Sequence, residues 1–366
     1  MRDLRPERAL LHLKTYMPKK IIYLFGAGAS HAVVNDCNPT KGLMTSDIQT
    51  VIQNKYQNKY NFDNEVWNAL IMENNDVEHL ISYLEFKYDY ASSNLVRKYY
   101  REAIIRLSNG FAGNPPKSNL YSVIMDMHLN IETLKSEEDL QCFISLNYED
   151  ILEKTIIKYY NRNINYNFNR NTENPTDIKV YKLHGSFNWS NDRPVSIAGR
   201  MTDVKSEKAL WIPPGVDKKK ENYPFNLLWG DAVEQLLNNC DILRVVGCSL
   251  NRNDWGLIPI LYDIQKFNSH GKNLLIEIID FKRTSDKIKE NYKYLKVIGL
   301  DENAEIINYM NSVYGINDQT EIDSYLDSEI NPMKFWIEAK LNALYSNTSI
   351  KHKKGIAYKF YNKPNL

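Results

Sequence analysis

Two glycines, an asparagine, a histidine and an aspartate carry the chemistry legible in this chain. Gly26 and Gly28 follow at once on the apolar run 21–25. A short β-branched and aromatic run that stops at glycine reads as a strand buried on both faces of a parallel sheet. Glycine there permits a tight turn and lets a ligand approach the backbone. Strand, glycines and helix start together form a phosphate-binding design, because the N–H groups of the helix end attract anions. The dinucleotide fingerprint is incomplete, since His31 stands where its third glycine would fall. Asn147 follows the run 142–146, at a carboxyl strand end where open α/β sheets bind ligands. His184 closes the run 178–183 and precedes Gly185, so it shares that edge with Asn147 and the glycine turn. Asp280 ends the run 274–279, where a carboxylate can accept hydrogen bonds from ribose hydroxyls. Asp150 and Asp254 are most simply helix N-caps.

The elements that must position these residues alternate between sheet and helix. Strands are expected at 21–25, 142–146, 178–183, 210–212, 242–246 and 274–279, with an edge strand at 295–299. Between the first two lies a helical stretch, with the stripes Val77, Leu80, Ile81, Leu84, then Tyr99, Ala103, Ile104, Leu107, then Leu120, Val123, Ile124, Met127 at helical spacing. Asp76 is placed to cap the first of these. Loops are expected at 35–42 and 161–177, and an irregular or hairpin segment at 190–208. The organisation is therefore an N-terminal helix (1–19), a Rossmann-like parallel sheet domain (20–44 and 141–300), an inserted helical subdomain (45–140), C-terminal helices (301–346) and a basic tail (347–366).

Composition narrows the classes. The chain has 366 residues, 43% hydrophobic, 25% charged, with a formal net charge of +1. A normal core is expected, and no overall field draws the protein to nucleic acid or to an acidic membrane. The runs 218–220 and 351–354 are read as solvated surface. Cys37, Cys142, Cys240 and Cys248 form no C-x-x-C pair, so no metal site is expected. Cys142 and Cys248 sit in apolar runs and read as buried thiols. No segment resembles a signal peptide and no apolar run approaches spanning length, so a cytoplasmic location is expected.

Five segments stand in a set order, each at a strand end: Gly26-Ala-Gly-Ala-Ser30, Ser145-Leu-Asn147-Tyr-Glu149, Lys182-Leu-His184-Gly-Ser186, Gly247-Cys-Ser249-Leu and Ile279-Asp280. Over roughly residues 20–280 the chain resembles the sirtuin family, in its bacterial sirtuin-like branch of anti-phage defence. That branch shows a G-A-G-A-S turn followed by T-N-Y-D, K-L-H-G-S and G-x-S-L strand ends. The resemblance implies a sirtuin-like Rossmann fold and NAD as substrate. By it, Gly26, Ala27, Gly28 and Ser30 cradle the pyrophosphate, and Asn147 faces the nicotinamide ribose. His184 is the general base, and Gly247, Ser249 and Asp280 face the adenosine half. Glu149 stands where the family has an aspartate that contacts nicotinamide. The four-cysteine zinc module of the deacylases is missing. So is the acidic-arginine segment after their glycine turn, where Asn38-Pro39-Thr40 stands instead.

The reaction implied is hydrolysis of the nicotinamide–ribose bond to nicotinamide and ADP-ribose, with oxocarbenium character at the ribose carbon. Asn147 would position ribose and water, and His184 would take a proton. The alternatives are an NAD-dependent protein deacylase and a non-catalytic NAD- or ADP-ribose-binding module. An NADase must be restrained, so a homo-oligomer, or a partner ATPase or Argonaute-type protein, is expected to activate it. The helical insertion and the helices after Asp301 are the expected contact surfaces, with Trp67 and Trp336 as aromatic anchors.

Overall fold

In this computed structural model the strand ahead of the glycine turn, β1 (Lys19–Phe25), runs through the middle of a parallel sheet. Ile21, Ile22, Tyr23, Leu24 and Phe25 are all buried, which contributes roughly 10 kcal/mol gross before the entropy of ordering. The structure describes residues 17–37, 42–56, 77–112, 115–168, 174–213, 222–250, 256–267, 274–327 and 331–346. The remaining strands are β2 (Glu138–Ser145), β3 (Ile164–Asn165), β4 (Ile178–Lys182), β5 (Gly185–Ser190), β6 (Ser196–Ile197), β7 (Ala209–Trp211), β8 (Ile242–Val246), β9 (Leu275–Ile279) and β10 (Val297–Ile298). Seven of them form one sheet in the order β10-β9-β8-β1-β2-β4-β3, every pair parallel. The other three form a small antiparallel sheet, β6-β5-β7. The fold is therefore α/β and Rossmann-like. The chain leaves β1 for β2 on one side and returns to β8 on the other, which opens a crevice at the carboxyl ends of β1 and β8.

Helix α1 (Ala27–Cys37) starts directly after Gly26 and runs through Asn35, where a loop is expected from sequence. The insertion comprises α2 (Thr45–Tyr56), α3 (Val77–Phe86), α4 (Tyr90–Ala112), α5 (Leu120–Asn130) and α6 (Glu132–Glu137). The stripes of α3, α4 and α5 are buried as their spacing requires. On α5 the burial extends further, to Tyr121, Ser122, Met125 and His128, and a reciprocal Asn119–Ser122 capping box fixes its start. After the insertion come α7 (Ile151–Tyr160), α8 (Phe225–Asn238), α9 (Ile258–Phe267), α10 (Lys282–Asn291), α11 (Ala304–Tyr309), α12 (Gln319–Asp327) and α13 (Pro332–Ser346). The expected single helix at 301–313 is instead a 3-10 turn (Leu300–Glu302), α11 and a π-turn (Met310–Tyr314). Asp76, Asp254, Trp67, the loop 38–40, the N-terminal residues 1–16 and the tail 347–366 lie outside the described residues.

Strand β2 begins at Glu138, before the apolar run that marks it in the sequence. The charge is accommodated because Arg244, buried in the middle of β8, pairs with it through two bonds of 2.7 Å. Arg244 also donates Nε to Glu277 on β9 at 2.9 Å, and Lys340 on α13 reaches Glu138 at 2.7 Å. Burial alone would raise the Glu138 carboxyl, but Arg244 and Lys340 outweigh it and hold the group well below the usual range. Trp336 on α13 is buried edge-on against Tyr23, with the Arg244 guanidinium 5.3 Å from its ring. The expectation that Trp336 anchors an interface is therefore corrected. Helix α13 belongs to the core, with Met333, Phe335, Trp336, Ile337, Ala339 and Leu341 all buried.

Candidate functional site

The crevice at the carboxyl edge is a cleft of about 730 Å³. Every residue singled out in the five segments lines it: Gly26, Ala27, Gly28, Ser30, Asn147, Glu149, His184, Gly247, Ser249 and Asp280. Ile48, Tyr100 and Ile104 contribute one wall from the helical insertion, and Asn331, Pro332 and Met333 another from the start of α13. Arg283 and Thr284, on the first turn of α10, extend the Asp280 end. Sequence reading missed these walls. Arg283, three residues past Asp280 with the guanidinium 4.8 Å from the Phe281 ring, had a signal in its position; the walls from distant helices had none.

The glycine turn also serves packing. A Cβ on Gly28 would lie 2.9 Å from Gly247 Cα, and one on Gly247 would lie 2.2 Å from Ala29 N. Gly247 also has φ +58°, a left-handed conformation that disfavours side chains. The Gly28 N–H donates to Gly247 O at 2.8 Å and the Ala29 N–H to Gly26 O at 3.1 Å. The two glycine segments thus pack backbone to backbone, which brings α1 onto the end of β8. The reading that a Cβ at Gly28 would enter ligand space is corrected: it would enter Gly247.

Below the turn sits a buried polar cluster. Asn147 donates Nδ2 to Gly26 O at 2.9 Å and to Ser30 Oγ at 3.0 Å, and its backbone N–H donates to Ser145 Oγ at 3.1 Å. Ser30 donates its hydroxyl to Glu149 Oε1 and meets Tyr121 OH at 2.7 Å. Ser30 is 1% exposed, so it faces this cluster more than the cleft and holds Asn147 and Glu149 in place. Glu149 Oε2 is buried without a hydrogen-bond partner among the described residues. Burial raises the Glu149 carboxyl, opposed by Lys182 and by the Ser30 bond. Lys182, buried two residues before His184, donates Nζ to Glu149 O and pairs with Glu153 at 2.8 Å. Asp150 occupies the N-cap position of α7, but its side chain does not cap it. That carboxyl instead accepts from Asn188 Nδ2 at 3.4 Å, and burial with Glu153 nearby pushes it up to about 7.

His184 lies at the end of β4, beside Asn147 at the end of neighbouring β2. It is 5% exposed and its ring lies 6.0 Å from that of Tyr148. Its carbonyl accepts from Ile212 N at 2.8 Å, just past β7. Gly185 permits this approach, with φ +78° and only 2.5 Å between a would-be Cβ and Leu210 O. The small sheet is joined to the insertion by Arg101, whose guanidinium donates to Phe187 O at 3.2 Å, Met201 O at 2.9 Å and Val204 O at 2.8 Å. At the far end of the cleft, Asp280 Oδ1 accepts from Phe281 N at 2.7 Å, and burial raises its carboxyl.

Cys142, Cys240 and Cys248 are buried. Among the described residues no group of three His, Cys, Asp or Glu side chains is placed to hold a metal, and no helix is long and apolar enough to cross a membrane. No family model and no curated protein matches this chain.

Proposed function

We propose that the cleft takes NAD and hydrolyses its nicotinamide–ribose bond, giving nicotinamide and ADP-ribose, on a sirtuin-like version of the Rossmann fold. The observation that carries this reading is the meeting of five separate strand-end segments in one cleft at the sheet's switch point, with Asn147 and His184 on neighbouring strands. The residues present fit the substrate. Asp280 offers a carboxylate to ribose hydroxyls, and Arg283 beside it offers charge to the pyrophosphate. The Asn147 amide hydrogens are given to Gly26 O and Ser30 Oγ, so the group it presents is its carbonyl oxygen, an acceptor for a ribose hydroxyl or a water. His184 takes the proton released when that water attacks the ribose carbon or that hydroxyl is engaged. Glu149 supplies negative charge near the cationic nicotinamide ring, with the longer side chain accommodated by its bond to Ser30.

Water as acceptor, rather than an acyl-lysine, is favoured by Arg101. Its three bonds tie the insertion to the segment that follows His184, where a peptide would need an open groove. On the resemblance, the protein is an NAD-depleting effector of anti-phage defence, restrained until it assembles with itself or with an ATPase or Argonaute-type partner. Assembly would draw on exposed aromatics such as Phe86 and Tyr88 at the α3–α4 turn, each 79% exposed, and not on buried Trp336.

Asn147→Ala and His184→Ala test the reading. Each is expected to stay folded, bind NAD within a few-fold of the parent protein and lose about a hundredfold or more in turnover. Near-parental turnover in His184→Ala removes it from the role of base.

A further inference from the structure

We propose that Tyr121, on the inserted helix α5, is a positioning residue that orients the Asn147 amide through Ser30. A serine hydroxyl has one hydrogen to give and two lone pairs to accept with. Ser30 gives its hydrogen to the Glu149 carboxylate and accepts one from Asn147 Nδ2 at 3.0 Å. The remaining lone pair faces Tyr121 OH at 2.7 Å, so the phenol is the donor there. Burial raises the Tyr121 hydroxyl well above its ordinary value, so it keeps that hydrogen.

Ser30 is thereby saturated, and the direction of every bond follows. Asn147 must turn its NH₂ edge inward, to Ser30 Oγ and Gly26 O, and its carbonyl oxygen to the cleft. Without the Tyr121 hydrogen, a Ser30 lone pair is left unpartnered, and the serine gains freedom to rotate away from Asn147. The Tyr121 ring is fixed edge-on against Phe25 at 5.0 Å, so only its oxygen has this duty. Helix α5 itself is tied to α7 by Asn119 Nδ2 to Thr155 Oγ1 at 3.3 Å and by the Tyr160 hydroxyl to Ser122 O. A shift of the insertion would therefore reach the asparagine of the sheet edge through one phenol.

The orientation of Asn147 stands on the hydrogen bonds alone; its effect on catalysis rests on the NADase reading. Two readouts keep them apart. In protein labelled with 15N-asparagine, the Asn147 side-chain amide pair is assigned by its loss in Asn147→Ala. Tyr121→Phe, which keeps the ring, is expected to move that pair and speed its hydrogen exchange about tenfold; Ser30→Ala does the same. Unmoved Asn147 resonances in folded Tyr121→Phe overturn the proposal; should that variant not fold, unmoved resonances in Ser30→Ala do so. If the parent protein cleaves NAD, Tyr121→Phe lowers kcat about tenfold with KM within twofold, and adds nothing in the Ser30→Ala background. Full additivity of the two substitutions would mean that Tyr121 acts by another route. A parent protein that leaves NAD intact defeats the functional reading, while the amide resonances still decide the orientation.

Discussion

Replacing Gly247 by alanine tests whether the glycine turn serves packing or ligand binding. The added Cβ would lie 2.2 Å from Ala29 N and 2.5 Å from Gly28 C, both backbone atoms, so the start of α1 must move away from β8. Overpacking of this kind costs about 1–3 kcal/mol, and the left-handed φ of +58° adds about 1–2 kcal/mol. The total is about 2–5 kcal/mol. At roughly 2.1 cal/mol/K per residue over 366 residues, that lowers the melting temperature by about 3–6 °C. Gly230→Ala is the internal control, because it lies exposed inside α8 and a Cβ there meets nothing within 4 Å. It should stabilise the protein by about 0.5–1 kcal/mol. Calorimetry without ligand reads both variants. A Gly247→Ala protein that melts within one degree of the parent, yet no longer binds NAD, would return the glycine to ligand contact and refute the packing argument.

Other perturbations separate the remaining parts. Arg101→Met should cost about 3–5 kcal/mol in urea unfolding, because it strands three carbonyls under α4; a loss near zero would show that the insertion does not depend on this clamp. Burial pushes the His128 imidazole down to about 3, so it is neutral in the fold and the unfolded chain binds more protons below pH 6.5. Its share of stability, up to ~5 kcal/mol, is present above pH 6.5 and is lost as the pH falls towards 3. His128→Gln should flatten that limb of the stability curve relative to the parent, and parallel curves would contradict the assignment.

The sheet and the cleft were legible because strand ends carry their own punctuation. A β-branched run that stops at Gly26, Asn147, His184, Gly247 or Asp280 marks both the strand and the edge it faces. The helical stripes of α3 and α4 were legible for the same reason of period. The residues that escaped do their work off-pattern. Tyr121 lies outside the Leu120, Val123, Ile124, Met127 stripe, yet α5 is buried almost all round. Arg101 and Arg244 carry no motif, and only the fold shows the carbonyls and carboxylates waiting for them. Helix α13 carries no site motif, so nothing local announces that its first turn lines the cleft and its middle closes the core. The glycines were recognised at the correct place for an incomplete reason, since a sequence does not reveal that Gly28 and Gly247 meet each other.

The most direct measurement is the fate of NAD. Purified protein is incubated with NAD over a wide range of protein concentration, with and without an acetyl-lysine peptide, and the products are resolved by chromatography. The expected result is nicotinamide and ADP-ribose in equal amounts, the peptide untouched, and a rate that rises faster than linearly with protein concentration as copies assemble. NAD that remains intact at every concentration, beside a protein that binds it and is fully folded, would contradict hydrolysis and leave a binding module; acetyl transfer from the peptide would make the protein a deacylase.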